Sequence, residues 1–91
     1  MNSIYKQLID RFGDNQVIVA IEELSELQKE LTKYLRGQTS YKNILEELAD
    51  VEIVLAQMKL FFGFSQKEIE EVKHLKLKRT EERLLTSDNY K

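Results

Sequence analysis

Two short acidic runs carry the residue types best suited to chemistry, Glu22-Glu23-Leu24-Ser25-Glu26 and Glu46-Glu47-Leu48-Ala49-Asp50. On a helix, Glu23 and Glu26 lie three apart and Glu22 and Glu26 four apart, so their side chains can converge on one patch. Glu47 with Asp50, and Glu46 with Asp50, repeat the arrangement. Like charges at this spacing repel and mildly destabilise a helix unless a cation sits between them. Two such groups facing each other form an all-oxygen cage. Hard oxygen donors without cysteine or clustered histidine favour Mg²⁺, with Mn²⁺ as a substitute, and Mg²⁺ commonly bridges carboxylates to substrate phosphates. Solvated acidic faces have the same spacing, so the neighbouring residues must decide.

Those neighbours favour a covered site for Asp50. It lies on a seam of Glu47, Asp50, Val54, Gln57 and Phe61 that turns apolar one turn later, so this side of the helix is expected to meet another element. A second seam on the same helix, Ile44, Leu48, Val51, Leu55, Met58 and Phe62, has the step pattern of a packed helix face. Glu22 and Glu26 point away from the main stripe of their own helix, Ala20, Leu24, Leu27 and Leu31. Immediately upstream, Val17 to Ile21 is apolar all round. A helix buried on every side in so short a chain suggests a partner subunit.

The elements that must position these groups follow from three glycines, Gly13, Gly37 and Gly63, in a chain of 91 residues without proline. They divide it into four predicted helices. The first runs from about Ser3 to Phe12; Asp14 or Asn15 caps a second that ends before Gly37. Ser40 caps a third that ends before Gly63. Ser65 with Glu68 forms a capping box for a fourth that reaches about Leu85. The tail, Thr86 to Lys91, is expected to be frayed. Strand alternation is nowhere sustained, so a single all-α domain, an antiparallel four-helix bundle, is the simplest architecture.

Composition narrows the function classes. Charged residues make up 33% and hydrophobic residues 42%, as in soluble amphipathic helices. Without cysteine there are neither disulfides nor thiolate metal sites, which fits a cytoplasmic protein. No run approaches the roughly 18 apolar residues of a spanning helix, so no membrane role is expected. A net charge of −2 lacks the basic field of a nucleic-acid binder. Phosphate recognition must then be local. On the last helix Ile69, Val72 and Leu75 form an expected inward stripe, and Lys76, Arg79 and Arg83 continue it as cations. Such a stripe suits a triphosphate through bidentate guanidinium contacts. Alternatively, these cations complement the helix dipole and pair with Glu81, Glu82 or the site carboxylates themselves.

The run from Phe12-Gly13 to Gln16, then EELSEL at 22–27, then EELADVEI at 46–53, resembles the MazG-like branch of the all-α nucleoside triphosphate pyrophosphatases, whose hallmark is EExxE on one helix and ExxD on the next. The resemblance spans about Phe12 to Arg83. It implies an oligomeric enzyme, a homodimer or homotetramer, that hydrolyses (d)NTP to (d)NMP and pyrophosphate in nucleotide-pool housekeeping. By the same resemblance Glu22, Glu23, Glu26, Glu47 and Asp50 hold Mg²⁺, with Glu22 or Glu23 the alternative acceptor of a proton from the attacking water. Lys76, Arg79 and Arg83 match a Lys-x-x-Asn/Arg-x-x-x-Arg-like element, with Arg79 where many members carry asparagine. Gln16 matches a position near the nucleotide pocket; its other reading is a polar residue in a first helical turn. The implied picture is a negative cage on two helices facing a positive stripe on the fourth.

Two other readings remain. One is a catalytically silent helical bundle that binds nucleotide or a protein partner. The other is a phosphoribosyl-nucleotide pyrophosphohydrolase of histidine biosynthesis, disfavoured by the EELADVEI form of the second motif. His74 reads as an exposed residue, and Phe61, Phe62 and Phe64 read as core or subunit interface.

Overall fold

In the computed structural model, which describes residues 2–86, the chain forms four helices and no strand among the described residues. They are α1 (Asn2–Phe12), α2 (Asn15–Leu35), α3 (Tyr41–Phe62) and α4 (Gln66–Thr86). The expected tail begins one residue inside α4, and its remainder, 87–91, lies outside the described residues.

The stops and starts follow local chemistry. Gly37 and Gly63 adopt left-handed φ values of +69° and +75°. After each, the chain closes a Schellman motif: Gln38 N–H donates to the Lys33 carbonyl and Phe64 N–H to the Lys59 carbonyl, both at 2.9 Å. A Cβ at either glycine would meet nothing within 4 Å, so glycine is required there by backbone conformation and not by space. Ser40 Oγ accepts from Asn43 N–H at 3.2 Å, as its cap role demands. At the head of α4 the capping box is complete, with Glu68 N–H donating to Ser65 Oγ and Ser65 N–H donating to Glu68 Oε1. The start of α2 differs from expectation. Asp14 is itself helical and makes no side-chain cap. The Gly13 and Asp14 carbonyls accept the first amides instead, so α1 passes into α2 through a single tight turn.

The core is an antiparallel α2–α3 pair, with α1 laid against both. Its buried apolar residues are small: Ala20, Val51 and Val54. Three polar side chains share that burial, Gln16, Glu30 and Gln57. The inward face of α2 is therefore Gln16, Ala20, Glu23, Leu27 and Glu30, and the expected stripe is corrected: Leu24 and Leu31 are 45% and 47% exposed. On α3 the seam bearing Glu47, Val54, Gln57 and Phe61 is the covered one, together with Val51, whereas Leu48 and Leu55 of the other seam stand 43% and 44% exposed. Seven-residue steps along α2 are answered by seven-residue steps back along α3. Gln16 and Gln57 meet at one level, Glu23 and Asp50 at the next, Glu30 and Asn43 at the third.

α4 makes no more than marginal contact with the other helices, so four helices are present but one chain does not close them into a four-helix core. The radius of gyration is 16.4 Å, against about 12 Å for a compact chain of this length. Ile69 is half-buried, but Val72 and Leu75, expected to face inward, are at least half exposed. The corner before α4 is held by Phe61 edge-on to Phe62 at 4.9 Å, and by Phe62 stacked with Phe64 at 6.0 Å.

Candidate functional site

Glu23 enters the site because α2 turns its Ala20 face toward α3, which carries a residue three positions later to the same interface. Glu47 and Asp50 enter because α3 presents Val51 and Val54 to α2. Carboxylate oxygens of Glu23, Glu47 and Asp50 all lie within 4.8 Å of one another. Glu23 and Glu47 are half-buried, and Asp50 is exposed. Desolvation holds the Glu23 carboxyl above its usual range, and the nearby Asp50 and Glu47 charges push it further the same way. Glu47 is raised by desolvation first and by Asp50 and Glu26 next. Negative charge is thus crowded at this level of the α2–α3 seam.

The five expected carboxylates are not equivalent. Three converge; Glu26 is exposed yet close enough for its charge to act on Glu23 and Glu47; Glu22 is exposed and outside the cluster. Glu30, which spacing did not single out, is buried on the phase of Glu23. It accepts the Thr39 hydroxyl and lies 3.5 Å from Lys33 Nζ. The Thr39 bond, followed by Lys33, keeps its carboxyl below the usual range. Its work is to tie the α2–α3 connection to the helix pair.

Beside Glu23 and Asp50 lies a recess of about 320 Å³. Leu8 of α1, Gln16 and Val19 of α2, and Ile53 and Gln57 of α3 line it. Gln16 thus shares a recess with Glu23 and Asp50, two helical turns from Glu23. Gln57 was legible only as a member of the carboxylate seam, and its place in the recess depends on how α2 and α1 pack against it. Lys76, Arg79 and Arg83 are exposed on α4 and are not brought to the carboxylates within one chain. Among the described residues they form no ion pair with Glu81 or Glu82 either. His74 is exposed, as are Phe62 and Phe64, while Phe61 is half-buried.

The arrangement suits a hard divalent cation: three carboxylates from two helices converge, and two of them hold their protons more tightly than free carboxyls. No helix among the described residues is long and apolar enough to cross a membrane. Comparison with protein-family models, curated proteins and solved structures gives no match.

Proposed function

We propose that the chain is a Mg²⁺-dependent nucleoside triphosphate pyrophosphohydrolase of the MazG-like kind, active as a homo-oligomer. The observation that carries this reading is the convergence of Glu23, Glu47 and Asp50 beside a recess of about 320 Å³. In it Glu23, Glu47 and Asp50 hold Mg²⁺, or Mn²⁺ in its place, with Glu26 and Glu22 at the edge of the acidic field. Bound there, the ion would neutralise phosphate charge and make an attacking water more acidic.

The chain's own residues supply the remaining parts. Water attacks the α-phosphorus, the bond to the α–β bridging oxygen breaks, and pyrophosphate leaves. Glu26, exposed yet close enough for its charge to act on Glu23 and Glu47, accepts the water's proton. Lys76, Arg79 and Arg83 grip the phosphates from α4 of a second copy, since α4 does not lie on the carboxylates of its own chain. Gln16 lines the same recess, two helical turns from Glu23 and so away from the phosphate end.

With Mg²⁺ and a panel of (d)NTPs, the wild-type chain releases pyrophosphate. Glu47→Ala or Asp50→Ala protein with unchanged helical content loses at least about a hundredfold, the order expected when electrostatic stabilisation of the reacting group is removed. Equal turnover in these variants would falsify the reading. The uncovered α4 stripe also favours a second reading, a silent nucleotide-binding or protein-interaction bundle. Mg²⁺-dependent nucleotide binding without turnover across the panel would select it.

A further inference from the structure

We propose that the site selects 2′-deoxyribonucleoside triphosphates over ribonucleoside triphosphates, with Val19 and Ile53 as the residues that determine the choice. The proposal rests on the reading that Glu23, Glu47 and Asp50 hold the triphosphate through a metal ion, and it adds the class of sugar.

The recess beside the carboxylates changes character along its length. Glu23 and Asp50 lie at one end, and Gln16 lies two helical turns from Glu23. An apolar band separates the two ends. Val19 precedes Glu23 by four residues, and Ile53 and Val54 follow Asp50 by three and four. Because α2 and α3 run antiparallel, these three residues stand on the same side of the carboxylates, about 5 Å further along the seam. Leu8 of α1 completes the apolar lining. Val54 is buried, whereas Val19 is half-buried and Ile53 is 43% exposed, so the last two present open surface to a ligand. None of these four side chains carries a hydrogen-bonding group.

The band falls where a nucleotide carries its sugar. With metal and phosphates at the carboxylate end, the 5′ carbon leads from the α-phosphate to a ring about one helical turn further on. Deoxyribose has one edge without oxygen, the C2′ methylene, which rests on Val19 and Ile53 while the 3′ hydroxyl turns to water. Ribose has no such edge. Its 2′ hydroxyl meets methyl groups at the same place, gives up water and finds no partner, which weakens binding. An apolar wall rejects an added hydroxyl by no more than about a hundredfold, so the choice is a preference and not an exclusion.

The test is titration calorimetry on the full chain with Mg²⁺. The ligands are inorganic tripolyphosphate and the α,β-methylene analogues of a deoxyribonucleoside and a ribonucleoside triphosphate with the same base, which resist cleavage. Wild type should bind the deoxy form roughly ten- to a hundredfold more tightly than the ribo form. Val19→Thr and Ile53→Thr keep a β-branched side chain and place a hydroxyl in the band, so each should narrow that ratio roughly threefold or more. Affinity for tripolyphosphate should stay unchanged in both, because it ends at the carboxylates; a general loss of structure would lower it. The wild-type comparison needs no altered protein, so it decides the matter even where a variant does not fold. Equal affinity of wild type for the two sugars, or an undiminished preference in both folded variants, overturns the proposal and leaves the metal-phosphate reading standing if tripolyphosphate still binds. If wild type binds neither tripolyphosphate nor nucleotide, that reading falls and takes the proposal with it.

Discussion

Glu23 and Glu47 release their protons less readily than free carboxyls because folding removes both from water and sets them beside other carboxylates. A carboxyl whose pKa is raised above the ordinary 4.5 binds protons more tightly in the folded than in the unfolded chain. Its contribution to stability is complete below 4.5 and is lost as the pH rises through the raised value. Glu30 and Glu68, both lowered, act in the opposite sense: their stabilisation is present above the ordinary value and lost on acidification. They are common to wild type and a Glu47→Gln variant and largely cancel in the comparison. Glu47→Gln is therefore expected to melt above the metal-free wild type at pH 7, with the gap closing below about pH 4. Thermal melts monitored by circular dichroism at both pH values check this. Saturating Mg²⁺ should raise the wild-type midpoint more than that of the variant, because an ion that binds only the folded state stabilises it. A variant that melts lower than wild type at pH 7 would show that Glu47 is a structural carboxylate like Glu30.

Helix boundaries were legible because their causes are local. Gly37, Gly63, Ser40 and the Ser65–Glu68 pair each act within one turn, and each does in the structure what its residue type dictates. The buried faces were less legible, for a tertiary reason. The expected stripes held the buried residues Ala20, Val51 and Val54 but joined them to Leu24, Leu31, Leu48 and Leu55, which stand exposed; the small side chains at the seam let the helices approach there. Glu47 and Asp50 were readable as a covered pair, since Val54 and Phe61 share their side. Glu23 was readable as a candidate by its spacing to Glu26, but that it, and not Glu22, faces α3 follows only once α2 presents Gln16, Ala20 and Glu30 inward. α4 is the element for which local chemistry matters most, because packing within the chain contributes little to it. A helix without tertiary cover depends on capping and side-chain pairs. Lys73–Glu70 at 3.6 Å is one such exposed pair and adds only a few tenths of a kcal/mol. Ser65→Ala removes the acceptor for Glu68 N–H and costs about 1 kcal/mol. The expected result is loss of helical signal with faster amide exchange along α4 and unchanged protection in α2 and α3. Uniform destabilisation of all four helices would mean that α4 is folded cooperatively with the rest.

A single copy exposes more surface than a protein of its mass should. Its accessible area is 7669 Å², against about 5,500 Å² for a compact monomer of the same mass. The difference, roughly 2,000 Å², is of the order that stable subunit interfaces bury. The apolar residues left uncovered lie on every long helix: Ile18, Ile21, Leu24 and Leu31 on α2, Leu48 and Leu55 on α3, Val72 and Leu75 on α4. These include the stripes that sequence periodicity marks as packed seams. Association of copies, as proposed, would reconcile the two by covering outside the α2–α3 seam what the single chain leaves open. It would also bring the α4 cations of one copy within reach of another copy's carboxylates. Ile21, 58% exposed in the apolar run before Glu22, is the sharpest probe of this arrangement. Burial of an isoleucine contributes about 2 kcal/mol, and a twofold interface contains it twice, so Ile21→Glu should weaken dimerisation roughly a thousandfold. Sedimentation velocity at micromolar concentration should find wild type as a dimer or tetramer and Ile21→Glu as a folded monomer. Because the Glu23, Glu47 and Asp50 cluster belongs to one chain, the monomeric variant should keep Mg²⁺ binding and lose affinity for tripolyphosphate. A wild type that sediments as a monomer and still hydrolyses (d)NTP would overturn the assignment of α4 to a second copy's phosphates.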